Sequence, residues 1–108
     1  MLDIEEFIEK IKKKSRLMGI DPGGRRIGIA ISDENKIVAT PYSTIIKDNY
    51  SNFISQIRKI IKENQIDGIV VGNPINMDGS TGPSSQSAKD LAKNLSKDIT
   101  ENIILWDE

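Results

Sequence analysis

"LMGIDPGGRRIGIAISD", residues 17–33, sets two apolar runs on either side of the turn-forming residues Pro22, Gly23, Gly24 and Arg25. The first run ends in a carboxylate, Asp21, and the turn closes on a basic pair, Arg25 and Arg26. Junctions as short as PGGR here and DENK at 33–36 favour an antiparallel meander, because parallel strands need crossovers of about a dozen residues or more. A third strand is expected over KIVATPYSTI, residues 36–45. On spacing alone, two readings of Asp21 stand side by side. Asp before Pro and Gly is an ordinary turn opener, and a carboxylate at the carboxyl end of a strand also sits where α/β sheets bind ligands. Gly23 and Gly24 admit positive φ and leave N–H groups free to face an anion, to which Arg25 or Arg26 can add charge-assisted bonds. The stretch matches neither a Walker loop nor G-x-G-x-x-G.

Outward from this hairpin the apolar period changes. Ile4, Phe7, Ile8 and Ile11 recur at helical spacing, with Asp3 and Glu6 placed as a capping box. Lys12, Lys13 and Lys14 then match the dipole at the helix end and read as solvated cations rather than as a nucleic-acid patch. Phe53, Ile54, Ile57, Ile60 and Ile61 mark a second helix, followed by the unbroken apolar strand GIVVG at 68–72. The turn-rich loop NPINMDGSTGPSS, residues 73–85, leads to a helix carrying Ala88, Leu91, Ala92 and Leu95, and NIILWDE closes as a strand. This later β-α-β-α-β part demands parallel crossovers, so the strands at 68–72 and 102–107 are expected to flank the first strand. The fold class is α/β: a mixed five-stranded sheet, a three-strand antiparallel meander plus two parallel strands, flanked by helices. Residues 1–108 form one domain on the length prior, with 1–15 as an extra N-terminal helix. Trp106, alternating with Leu105 and Asp107, is expected in the core.

Composition narrows the chemistry. With 37% hydrophobic and 29% charged residues the chain is of the soluble globular type, and no apolar run is long enough to span a bilayer. The acidic, amphipathic start does not resemble a signal peptide, so a cytoplasmic location and no membrane partner are expected. Absence of cysteine and histidine removes thiol nucleophiles, thiolate metal sites, the commonest general base and the commonest zinc ligand. Chemistry must then run on Asp, Glu, Lys, Arg and hydroxyls, with hard cations such as Mg²⁺ or Mn²⁺ as the plausible metals. A net charge of −1 and a pI of about 5.5 give no global basic field, although a local basic site is compatible with both.

Three segments, GIDPGGRRIGIAISD, IVVGNPINMDGSTGP and the terminal WDE, together resemble the YqgF/RuvX family, relatives of the RuvC resolvases with an RNase H-like fold. The resemblance runs from Leu17 to Glu108. It implies a Mg²⁺-dependent endonuclease, described both as a Holliday-junction resolvase and as the nuclease that trims the 5′ end of pre-16S rRNA, with structured RNA or branched DNA as partner and a homodimer compatible. Asp21 matches the family's first catalytic acid and Glu108 the acid of its WDER motif, and both would be metal ligands. Gly23, Arg25 and Arg26, with Asn76, Asp78, Gly79 and Ser80 of the NMDGS loop, fall where the family lines its substrate groove, although NMDGS is also a good turn sequence. Two carboxylate-held Mg²⁺ ions about 4 Å apart would activate the water and neutralise the charge that develops on the phosphate, which needs no histidine.

This chain departs from the family pattern in three places. Asn73 stands where an apolar residue is usual, Pro22 and Gly24 replace the usual D-x-G-T, and the family continues past WDE into a helical region bearing another catalytic acid. The resemblance therefore implies a missing helix, strand residues such as Ile103 or Leu105 left exposed, and self-association through the uncovered face. Two alternatives are kept: a non-catalytic nucleic-acid-binding domain of the same fold, and a fragment of an actin-like ATPase, which needs two such lobes around its nucleotide.

Overall fold

A computed structural model of the chain describes residues 3–12, 14–23, 25–46, 48–73 and 83–107, the side chains of 83–85 and 107 excepted. Alternation along the first strand, β1 (Arg16–Pro22), separates the two sides of the sheet: Met18 and Ile20 are buried, Leu17 and Gly19 half-buried, and Asp21 exposed. β2 (Arg26–Ser32) repeats the pattern, with Ile27, Ile29 and Ile31 on the buried side and Gly28 and Ala30 on the other. The hairpin between them is antiparallel, Asp21 facing Gly28 and Pro22 facing Ile27. β3 (Ala39–Ile46) completes the meander at the sheet edge. A bulge sets Ser43 opposite Ile29 but Pro41 opposite Ala30, and an edge strand tolerates the proline, which has no N–H to give to a neighbour.

β3 starts three residues later than the sequence suggests. The Asp33 carboxylate accepts hydrogen bonds from the Ile37 and Val38 amides at 2.8 and 3.0 Å, and Lys36 takes a positive φ of 60°, so the chain turns here instead of pairing. The same amides hold the Asp33 carboxyl below its ordinary range.

α2 (Tyr50–Asn64) is capped by Asn49, which accepts from the Asn52 amide at 2.8 Å, and lays Phe53, Ile54, Ile57, Ile60 and Ile61 on the Met18 side of the sheet. β4 (Ile66–Asn73) then enters parallel to β1, α3 (Pro83–Asp98) packs Leu91, Ala92 and Leu95 on the same core, and β5 (Asn102–Asp107) adds parallel to β4. The sheet order is β3-β2-β1-β4-β5. The mixed five-stranded sheet is as expected, with one correction. Only β4 flanks β1, while β5 lies one strand further out. No helix among the described residues is long and apolar enough to cross a membrane.

α1 (Ile4–Lys10) lies on the opposite side of the sheet, with the predicted Asp3 cap accepting from the Glu6 amide at 2.9 Å. Of its isoleucines Ile4 and Ile8 are exposed, and Phe7 alone among the helix residues is buried, against Leu17 and Gly68. The Lys12 amide donates to Asp67 and the Lys36 ammonium to the Lys12 carbonyl, so the end of this short helix is tied to both β4 and the β2–β3 turn. A Cβ on Gly68 would stand 2.7 Å from Phe7 Cζ and 2.9 Å from Leu17 Cδ2. Gly68→Ala is therefore expected to displace α1 at a cost of about 1–3 kcal/mol. Amide exchange should accelerate over residues 4–12 while β1 and β4 keep their protection; unchanged exchange there would show that the sheet had given way instead.

α2 and α3 are also joined by a polar clamp. The Tyr50 hydroxyl donates to Asp98 at 2.6 Å, and Arg58 donates to the Asp98 carbonyl at 2.9 Å. Desolvation first, then the bond to Asp98, pushes the Tyr50 phenol up to about 12. The folded state thus holds this proton more tightly than the unfolded chain, whose phenol titrates near 10. The stabilisation is complete below about pH 10 and is lost as pH rises toward 12. Tyr50→Phe should cost about 1 kcal/mol at neutral pH, and the gap to wild type in denaturant midpoint should close between pH 10 and 12.

Candidate functional site

Asp21 is carried to the sheet rim by the last pairs of the β1–β2 hairpin, opposite Gly28 and on the side away from the main core. Gly28 has no side chain, so a Cβ there would already be 3.6 Å from Asp21 Cβ, and the carboxylate stands clear of its neighbour. Among the described residues the Asp21 carboxylate receives no hydrogen bond and makes no ion pair, and the residue is exposed. The turn beyond is closed by the Gly23 amide donating to the Asp21 carbonyl at 3.0 Å. Gly23 is needed there for close approach rather than for positive φ: a Cβ would sit 2.7 Å from the Arg26 carbonyl oxygen. Arg25 and Arg26 are exposed, and alternation along β2 puts Arg26 on the Asp21 side with Gly28 and Ala30.

Below Asp21 the small residues Gly19, Gly28, Ala30 and Gly72 leave a trough of about 380 Å³, walled by Pro41, Ser43, Thr44 and Trp106. Trp106 is the correction to the sequence reading. It is 53% exposed, not core, because β5 turns it to the Asp21 side, where α1 reaches the strand but leaves the trough open. Ile103, expected to be bared, is 3% exposed under α3, and Leu105 is half-buried against the same core. The open part of the sheet is thus the opposite side from the one those two residues occupy. Nothing in the alternation of NIILWDE says which of its two sides is covered.

The other site candidates, Glu108 and Asn76, Asp78, Gly79 and Ser80, lie outside the described residues, as does Gly24. β5 can still be followed to Asp107, whose backbone pairs with Asn73. Two interstrand steps of about 4.8 Å put this rim position roughly 10 Å from the backbone of Asp21. The buried Asn73 occupies the strand between them. Among the described residues no three Asp, Glu, His or Cys side chains gather as a metal cluster.

The match to a family model now has a structural frame. The model described as "RuvX: Holliday junction resolvase" covers residues 15–108, everything from β1 onward. The chain belongs to the RuvX family. A protein of Pelagibacter ubique is 51% identical over the whole chain, which spans 72% of that relative. One of Rhodobacter capsulatus is 39% identical over 97% of the chain, which spans 66% of the relative. Each carries the name "Putative pre-16S rRNA nuclease".

Solved structures agree on the RNase H-like fold. Thermus thermophilus RuvC aligns at a TM-score of 0.57 and 8% identity, over 85% of this chain and 63% of that one. RuvC in complex with a Holliday junction substrate aligns at 0.56 and 8% identity, over 86% and 64% of the two chains. A Bacteroides thetaiotaomicron protein with an actin-like ATPase fold aligns at 0.52 and 11% identity, over 94% of this chain but 36% of its own, which shows the core that these folds share. RuvX membership and the names of the relatives together support a nuclease role.

Trp106 is the only tryptophan, which makes its surroundings directly readable. Its emission should be red-shifted and readily quenched by acrylamide. Trp106→Ala should cost about 1 kcal/mol or less in thermal unfolding, against the 3–5 kcal/mol of a buried tryptophan. A loss of core size would mean that the indole is covered.

Proposed function

We propose that this RuvX chain is a single RNase H-like nuclease domain that hydrolyses phosphodiester bonds in structured nucleic acid, trimming the 5′ end of pre-16S rRNA in the cytoplasm. The observation that supports this most is the Asp21 carboxylate. It is held at the carboxyl end of the central strand of a RuvX fold, exposed and unpartnered among the described residues. A structural aspartate at a turn would normally accept hydrogen bonds from the following amides, as Asp33 does.

Such a carboxylate suits Mg²⁺ or Mn²⁺, which take oxygen donors and are commonly held by one or two carboxylates together with waters and substrate phosphate oxygens. The metal would supply water activation and charge neutralisation at the phosphate. Asp21 and Glu108 are the proposed ligands. Arg25 and Arg26 are proposed to draw the scissile strand onto the rim by charge-assisted bonds to flanking phosphates, with Gly23 keeping the turn close enough to present them. Asn76, Asp78, Gly79 and Ser80 are proposed to line the remaining wall.

Asp21→Asn keeps the shape of the side chain and removes the charge. In cleavage of a pre-16S leader RNA and of a four-way DNA junction with Mg²⁺, it is expected to lower the rate by at least about 100-fold while the melting temperature stays unchanged. Cleavage by the variant at the wild-type rate would remove Asp21 from catalysis. Binding without cleavage by the wild type would instead favour a non-catalytic nucleic-acid module.

A further inference from the structure

We propose that the outer flank of α3 is a track for the phosphate backbone of the substrate, a surface separate from the Asp21 rim. Lys89, Lys93 and Lys97 recur at every fourth residue of this helix, forming one exposed row that descends it in steps of about 6 Å. The buried stripe of Ala88, Leu91, Ala92 and Leu95 lies beside the row and fixes the rotation of the helix, so the ammonium groups cannot turn into the core. None of the three forms an ion pair among the described residues. Lys97 complements the C-terminal dipole of the helix, but Lys89 and Lys93 stand mid-helix, where the dipole provides no reason for a cation.

A second observation is the cleft of about 430 Å³ against which the first two lysines stand, lined by Gln86, Lys89, Asp90, Lys93, Ser96 and Leu105. Its one acid, Asp90, already accepts from Gln86 Nε2 at 3.0 Å. The cleft therefore presents cations and polar groups along an edge strand, in a chain whose net charge is −1. Its place matters as much as its charge. Leu105 lines this cleft and the next residue of β5, Trp106, lines the trough beneath Asp21, so the two hollows lie back to back across one strand. A polymer leaving the rim over the β5 edge passes onto the lysine row. Phosphodiester backbones of RNA and DNA share the chemistry this row recognises, and no base-reading group is required.

The inference rests on the proposed nucleic-acid function, and its test separates the two. Binding of a fluorescein-labelled single-stranded 20-mer RNA, and of the matching DNA, is followed by anisotropy across a salt series. Wild type is compared with Lys89→Gln/Lys93→Gln/Lys97→Gln, with the triple Arg variant, and with Lys10→Gln/Lys59→Gln/Lys62→Gln as a charge-matched control elsewhere on the surface. For single strands each phosphate contact contributes a slope of roughly 0.7 in log affinity against log salt, so the α3 triple should flatten the slope by about 2 and weaken binding by up to about 100-fold near 0.1 M salt. The Arg variant should restore both, and the control should change neither. Equal slopes for wild type and the α3 triple, or an equal loss in the control, would overturn the track while leaving the nuclease reading standing. Failure of wild type to bind either single strand would likewise overturn the track, while the nuclease reading is decided separately by cleavage of the leader RNA and the four-way junction.

Discussion

β1 is hydrogen-bonded along both edges, antiparallel to β2 and parallel to β4, and the rest of the molecule is arranged around that double pairing. A strand held on both sides cannot slip by one residue without moving Met18 and Ile20 out of the core and Asp21 into it, at several kcal/mol for the apolar side chains alone. The register of the central strand is therefore strongly specified. It aims one carboxylate at the side of the sheet opposite α2 and α3. The tight hairpin fixes one neighbour of Asp21, and the α2 crossover fixes the other.

Small residues do the complementary work on that side. Gly19, Gly28, Ala30 and Gly72 offer little apolar area, so leaving them under solvent costs far less than exposing the isoleucines that face the other way. Where bulk does appear on that side, at Leu17 near the start of β1 and at Ile104 on the outer strand level with Gly19, α1 lies close by, and Gly68 lets Phe7 approach the backbone. The sheet is covered at one end and shallow at the other. The trough beneath Asp21 is a consequence of this residue choice rather than of a gap in packing.

Much of this was legible in the residues, and the misreadings have identifiable causes. Turn lengths separated the hairpin half from the crossover half, and Asp21 was legible because strand alternation and a following Pro-Gly pair place it at a rim. Alternation is blind to which side a helix covers, so it places Trp106 in the core when the structure exposes it, and the expectation of a bared Ile103 rested on the helix implied by the family resemblance, whereas α3 already covers that side. The start of β3 was misplaced because Ile37 and Val38 have strand-forming side chains, while the decisive interaction is the Asp33 carboxylate gripping their amides. Parallel crossovers established that β4 and β5 are parallel but left their lateral order open. A glycine such as Gly23 announces a backbone constraint, yet only coordinates distinguish positive φ from close approach, here to the Arg26 carbonyl.

A chain with net charge −1 that handles a polyanion has to bind it locally. At physiological salt the screening length is about 8 Å, so distant lysines contribute little and the useful cations are those within a few ångströms of the backbone path. Arg25 and Arg26 are exposed at the hairpin between β1 and β2, and guanidinium forks suit a phosphate that must be oriented. Lysines on a regular helix provide point charges without a fixed geometry, which suits a strand that only has to be held. On the proposed reading, an arginine tip at the rim and a repeating lysine row beyond it would let orientation and retention be set by separate parts of the fold. An acidic overall charge then limits non-specific attachment to nucleic acid everywhere else.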